Sequence, residues 1–181
     1  MNIAFRLLLA FNATSLLLIV FLVQKSFTLG YFFPEHPRLL ILPSYVSYFI
    51  YSAVPVLLTG LSILLSDRLG KDEFKKGSVE SIEHANNSFL PSYLGYFFVA
   101  LSISGWEALW FVYVILLAFT FLSQALYFNP LFLIFGYEFY NIKTKNGTAI
   151  FLISRHKYKK PDEIDIAVAH RINDYTFIEK R

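Results

Sequence analysis

Glu80 and His84 stand four residues apart, the spacing that brings a carboxylate and an imidazole onto one helix face as two ligands of a metal ion. Two ligands do not complete a coordination sphere, and the chain has no cysteine to extend one. Ser154 lies two residues before His156, where a nucleophile meets its base only if a turn folds the segment back. The four histidines, His36, His84, His156 and His170, all fall on connections or in the tail, and no G-x-S-x-G, H-E-x-x-H or phosphate-cradling glycine loop occurs. The expectation is a protein that is not an enzyme and carries no metal and no cofactor.

Charge is more informative than catalysis. Between Lys143 and Lys160 lie six cations, Lys143, Lys145, Arg155, Lys157, Lys159 and Lys160, with no carboxylate among them. Such a run suits contact with anionic lipid, each charge contributing about 1 kcal/mol near the surface, or the docking of an acidic soluble partner. Direct binding of nucleic acid is not expected, because a segment held at a membrane reaches little of it. A second patch is aromatic: Phe27, Tyr31, Phe32 and Phe33 precede Pro34-Glu35-His36-Pro37, and they read either as an interfacial anchor or as an outer sensing loop. A third pattern is a stripe at steps of four and three through Ile41, Tyr45, Tyr48, Ser52, Pro55, Thr59, Ser62 and Ser66, repeated in Trp106, Trp110, Tyr113, Leu117, Thr120 and Gln124. Hydroxyl and small residues so spaced make a helix-packing face in lipid. Repeated around several subunits, the same stripe would line a pore, although no Asp, Glu, Lys, Arg or His lies within it to relay protons.

The elements that must hold these residues follow from composition. Of 181 residues 56% are hydrophobic and 16% charged, against about 25% charged in soluble domains. Four stretches, residues 7–23, 39–66, 88–106 and 108–128, carry almost no charge and approach the roughly 20 apolar residues a bilayer demands. The first lacks a small-residue cleavage site and reads as an uncleaved span, and the last two, joined by a very short link, read as an antiparallel hairpin. Four spans place 14 of 16 Lys and Arg residues on the side of the termini, which puts both termini in the cytoplasm. Residues 67–87 read as a solvated helix or turn.

Beyond Pro130, residues 137–144 and 148–154 alternate as strands around Asn146-Gly147, the favoured pair of a two-residue type I′ turn. That turn pairs Thr144 with Ala149, Ile142 with Phe151, Tyr140 with Ile153 and Glu138 with Arg155. Residues 164–172 add a third strand or a short helix. The expected fold class is thus a membrane all-α protein: a four-transmembrane-helix bundle over residues 1–130 with a small C-terminal cytoplasmic β-hairpin subdomain over 131–181.

The segments Asn87-Ser88-Phe89-Leu90-Pro91-Ser92-Tyr93-Leu94-Gly95-Tyr96-Phe97, Phe128-Asn129-Pro130-Leu131-Phe132-Leu133-Ile134-Phe135-Gly136-Tyr137-Glu138-Phe139-Tyr140 and Phe151-Leu152-Ile153-Ser154-Arg155 resemble the KwaA family, membrane subunits of the bacterial Kiwa anti-phage system. The resemblance implies a bacterial inner-membrane, multi-pass sensor and scaffold, assembled as a homo-oligomer, a tetramer. It also implies a soluble, DNA-binding KwaB-like effector recruited at the cytoplasmic face. The residues alone leave a second reading open, an oligomeric pore or ion-channel subunit.

Overall fold

A computed structural model describes residues 3–88, 90–123 and 129–180. Its helices are α1 (Ile3–Gln24), α2 (Leu29–Phe32), α3 (Pro37–Leu40), α4 (Ser44–Leu65), α5 (Leu90–Ser102), α6 (Trp106–Leu122) and α7 (Leu131–Ile134). The strands are β1 (Gly70–Phe74), β2 (Val79–His84), β3 (Glu138–Thr144), β4 (Ala149–Ser154), β5 (Ile166–Arg171) and β6 (Thr176–Glu179).

The structure corrects the four-transmembrane-helix bundle. Among the described residues only α1 and α4, the latter extended by a 3-10 turn to Arg68, are long and apolar enough to cross a membrane. The thirteen residues of α5 and seventeen of α6 reach about 20 and 26 Å at 1.5 Å per residue, short of a core about 30 Å thick. The cause is local: Ile103, Ser104 and Gly105 leave the helical path, and Gly105 caps α6 in an extended conformation. Apolar content therefore overstated helix length, and residues 124–128 of the expected fourth stretch lie outside the described residues. Nor do α5 and α6 make a simple paired hairpin. Both pack on α1, which also carries α4, and a cavity of about 420 Å³ opens between α5 and α6 beside Tyr93, Tyr96, Leu116 and Phe119.

The second correction is the sheet. Instead of a small hairpin there is one six-stranded mixed sheet in the order β1-β5-β6-β4-β3-β2, with β4 and β6 parallel. Residues 67–87, expected as a solvated helix or turn, supply both of its edges. Flat, those edges would stand about 24 Å apart, whereas the connection from Phe74 to Val79 reaches at most about 17 Å, so the sheet must curl. Its concave side encloses Val79, Tyr140, Ile142, Ile150, Leu152, Ile164, Ile166, Ala169 and Phe177. Its other side, through Phe139, Phe151, Ile153 and Ile178, covers Phe5, Leu9 and Ala10 of α1 together with Phe132 and Tyr137. β4 is consequently buried on both faces from Ile150 to Ser154.

The β3–β4 register differs by one residue from the type I′ expectation: Glu138 faces Ser154, Tyr140 faces Leu152, Ile142 faces Ile150 and Lys143 faces Ala149. The Gly147 amide donates to the Thr144 carbonyl at 2.9 Å, and the Thr144 amide to the Thr148 carbonyl at 2.9 Å. This is a three-residue loop, a type I turn closed by a glycine bulge with Gly147 at φ +81°. An L side chain in that region costs about 1 kcal/mol. Gly147→Ala is therefore expected to lower the melting temperature by a few degrees while Asn146→Ala leaves it unchanged, as thermal unfolding of the purified protein will show.

Candidate functional site

The α1 helix links the two ends of the molecule, about 33 Å apart at 1.5 Å per residue over 22 residues. At the end away from the sheet the expected sensing loop folds back onto α6. Phe27 stacks on Trp106 at 5.1 Å and on Tyr31 at 4.4 Å, while Phe32 meets the Trp106 edge at 6.0 Å. Tyr31, Phe32 and Phe33 remain exposed. The fold of this loop depends on Gly30: a Cβ there would stand 3.0 Å from the Leu39 carbonyl oxygen and 3.1 Å from the Leu40 Cα, so α2 and α3 close on each other only because that position is glycine.

Between the ends, the hydroxyl stripe of α4 divides. Pro55, Thr59, Ser62 and Ser66 are buried within the chain, whereas Tyr45 and Ser52 are exposed and Tyr48 half-buried. The inner half thus serves packing inside one chain, which leaves only Tyr45, Tyr48 and Ser52 for a face between subunits. In α6, Tyr113 is buried 3.3 Å from the Thr14 hydroxyl and Thr120 borders the α5–α6 cavity; Gln124 lies outside the described residues.

The centre of the inner half is a polar cluster that the sequence reading passed over. Asn12, Thr59 and Asn129 are all at most 1% exposed. With the Asn12 amide oriented so that every donor meets an acceptor, its nitrogen donates to the Pro55 carbonyl at 3.1 Å. Its oxygen accepts from Thr59 Oγ1 at 2.7 Å, the Thr59 amide at 3.1 Å and Asn129 Nδ2 at 3.0 Å. Asn129 Oδ1 in turn accepts from the Leu131 amide at 3.0 Å and so starts α7. An amide at position 12 within an apolar run was the signal available, because buried polar atoms must find partners.

At the sheet the basic run is unevenly occupied. Lys143 pairs with Glu80 at 3.0 Å and Lys157 with Glu138 at 3.3 Å. The Arg155 guanidinium donates to the Phe135 carbonyl and lies over the Tyr137 ring at 5.2 Å, so it does not form the expected pair with Glu138. The side chains of Lys145, Lys159 and Lys160 are exposed and make no ion pair among the described residues. Glu80 and His84 do not converge as metal ligands, because both lie on a strand and His84 faces Glu138 at 3.3 Å.

Ser154 and His156 are brought together, but not as nucleophile and base: buried Glu179 stands between them. Its carboxylate accepts from Ser154 Oγ at 2.6 Å and from Tyr158 Oη at 2.9 Å, and it lies 3.2 Å from His156 Nδ1. Glu179 thereby ties the second half of the basic run to the last strand. Burial pushes the Tyr140 and Tyr158 phenols up, helped by the carboxylates they donate to. Burial also acts to raise Glu138, but donors from Tyr140 and Lys157 outweigh it and hold the carboxyl below its usual range. His170, buried on β5, is held below its usual range by burial.

Both depressed groups act in one direction. Each binds its proton more readily in the unfolded chain, so stability is present at neutral pH and is lost as pH falls. The loss starts below the ordinary histidine value of 6.5 and deepens below the ordinary glutamate value of 4.5. Thermal unfolding followed from pH 7.5 to pH 4 is expected to show a falling midpoint, with a shallower slope below about pH 6.5 in His170→Phe.

No match was found among curated proteins or among solved structures. The model of one family, Anti-phage protein KwaA, matches residues 5–178 and so takes in both the helices and all six strands. The chain therefore belongs to the KwaA family of anti-phage proteins, and with it to anti-phage defence.

Proposed function

We propose that the chain is a non-catalytic sensor and scaffold of an anti-phage assembly, anchored in the bacterial inner membrane by α1 and α4. In this reading it assembles as a homotetramer, with the sheet in the cytoplasm. The observation that supports anchoring is the division of the surface. Phe49, Leu57, Leu64 and Phe111 on the helices are at least 70% exposed, whereas the strands expose Val168 alone among their large apolar residues. Only five of 29 charged residues fall in residues 1–66 and 88–128. An apolar surface of that extent suits lipid rather than water.

Orientation rests on α1 and α4 alone. Lys25 and Arg38 are the only Lys or Arg residues between them, and the other 14 lie on the side of the termini. The aromatic loop would then sit at the outer interface and register disturbance of the envelope. The sheet would recruit a soluble effector with an acidic face through Lys145, Lys159 and Lys160, the lysines of the basic run whose side chains make no ion pair among the described residues.

Affinity purification in mild detergent from native membranes tests this reading. A soluble protein in fixed ratio with the oligomer is expected, and it is lost in the Lys145→Glu, Lys159→Glu, Lys160→Glu triple variant while membrane retention and subunit number persist. A partner that stays bound to the triple variant contradicts docking at these lysines. Full phage resistance in a deletion strain would sink the defence role of the chain itself.

A further inference from the structure

A second cationic feature lies apart from the basic run. Where α4 gives way to the sheet, a cavity of about 660 Å³ is bordered by Arg68, Gly70 and Lys71 on one lip and by Arg171, Asn173 and Asp174 on the other. The lips are held together by the pairing of Gly70 with Arg171 and of Lys71 with His170. The Arg171 side chain is already committed, donating to both Asp72 oxygens at 2.6 and 2.7 Å. Arg68 and Lys71 are exposed and make no ion pair among the described residues, whereas Lys143 and Arg171 on the strands do. The cavity thus offers two uncommitted cations on one lip and a carboxylate, Asp174, on the other.

We infer that this cleft binds the headgroup of an anionic phospholipid with a hydroxylated head, its phosphate held by Arg68 and Lys71 and its hydroxyl groups donating to Asp174. The assignment to a lipid rests on the anchoring proposed above. Arg68 is the last residue of the turn that extends α4, so the cleft opens at the level where that helix would leave the bilayer. Tyr175, next to Asp174 and 56% exposed, stands where aromatic side chains favour the interface. Two cations against one carboxylate leave the cleft net positive, so a headgroup of net negative charge is favoured over a neutral zwitterionic one.

Native mass spectrometry of the full chain in detergent, with phosphatidylglycerol and phosphatidylcholine at equal concentration, tests the inference. Wild type is expected to retain phosphatidylglycerol preferentially. The Arg68→Gln, Lys71→Gln variant should lose that preference by roughly tenfold, and Lys159→Gln, Lys160→Gln should keep it. An unchanged preference in the first variant, or an equal loss in the second, overturns the site. Asp174→Ala, which leaves the cations in place, should narrow the preference for phosphatidylglycerol over phosphatidic acid, and no change there removes the hydroxyl contact.

Displacement of the lipid by an equal concentration of glycerol 3-phosphate would identify a free-anion site and overturn the lipid assignment. Flotation with neutral phosphatidylcholine vesicles reports on anchoring separately. A variant that floats like wild type yet lacks the preference is the expected result. Failure of wild type itself to float would overturn the anchoring reading, and with it the assignment of the anion to a lipid.

Discussion

Asn12→Ala is expected to be among the most damaging single substitutions in the helices, lowering the stability of the detergent-solubilised protein by about 3 kcal/mol. The side chain meets four groups, the Pro55 carbonyl, both the hydroxyl and the amide of Thr59, and the Asn129 amide. Truncation removes all four contacts at once; Thr59 Oγ1 still reaches the Pro55 carbonyl at 2.8 Å and Asn129 Nδ2 still reaches Thr59 Oγ1 at 3.1 Å, and a buried polar group left short of a partner costs about 1–3 kcal/mol. Helix-to-helix hydrogen bonds in lipid are individually worth less, about 0.6 kcal/mol on average, so the estimate depends on several being lost together. Thermal unfolding with Ser52→Ala as the exposed comparison decides: the comparison should stay within about 0.5 kcal/mol of wild type. If Asn12→Ala does the same, the cluster does not hold the helices together. Because Asn129 starts α7 on the way to β3, the damage should extend to the sheet and appear as faster proteolysis of the region after residue 130.

Leu152→Ala carries the second large effect, about 2–5 kcal/mol. Leu152 is fully buried on the concave side of the sheet, while Ile153, also fully buried, faces the helices. Truncating Leu152 leaves a cavity inside the curl, so the sheet itself should loosen. Truncating Ile153 removes contact with α1 and α7, so the sheet should detach before it unfolds. Limited proteolysis distinguishes the two, with cleavage within the strands expected for Leu152→Ala and cleavage near residues 66–70 and 129–136 for Ile153→Ala. Identical cleavage patterns would mean that the two layers are not separately stabilised.

What could be read in advance follows from how local each signal is. β3 and β4 declare themselves by alternation around Asn146-Gly147, and 164–172 was open to a strand that β5 supplies. The turn type was misassigned because Thr144 uses both its backbone and its hydroxyl on Thr148, which lengthens the loop by one residue and shifts every pair. β1 and β2 escaped notice because their charges fall on both faces and their partners lie about 60 to 100 residues away, at opposite edges of the sheet. β6 is only four residues long and fully buried, too short for alternation to speak. The apolar stretches were legible, but the helix ends that shorten α5 and α6 were not, since composition does not mark where a chain leaves the helical path.

Among candidate sites, the basic run, the aromatic loop and the hydroxyl stripe were all visible as patterns of residue type. Which lysines are engaged by Glu80 and Glu138, and which half of the stripe is buried, depend on packing across the whole chain. Glu179 was passed over for the same reason: a single carboxylate near the end of a chain carries no local sign that Ser154, His156 and Tyr158 will gather round it.

The proposed topology puts the sheet and the aromatic loop on opposite sides of a membrane. The absence of cysteine makes a direct measurement possible: single-cysteine variants Glu35→Cys in the loop and Asn146→Cys in the sheet, treated in cells with a membrane-impermeant maleimide. With the outer envelope opened and the inner membrane intact, Glu35→Cys should label and Asn146→Cys should label only after the inner membrane is permeabilised. Equal labelling of both before permeabilisation would contradict that topology.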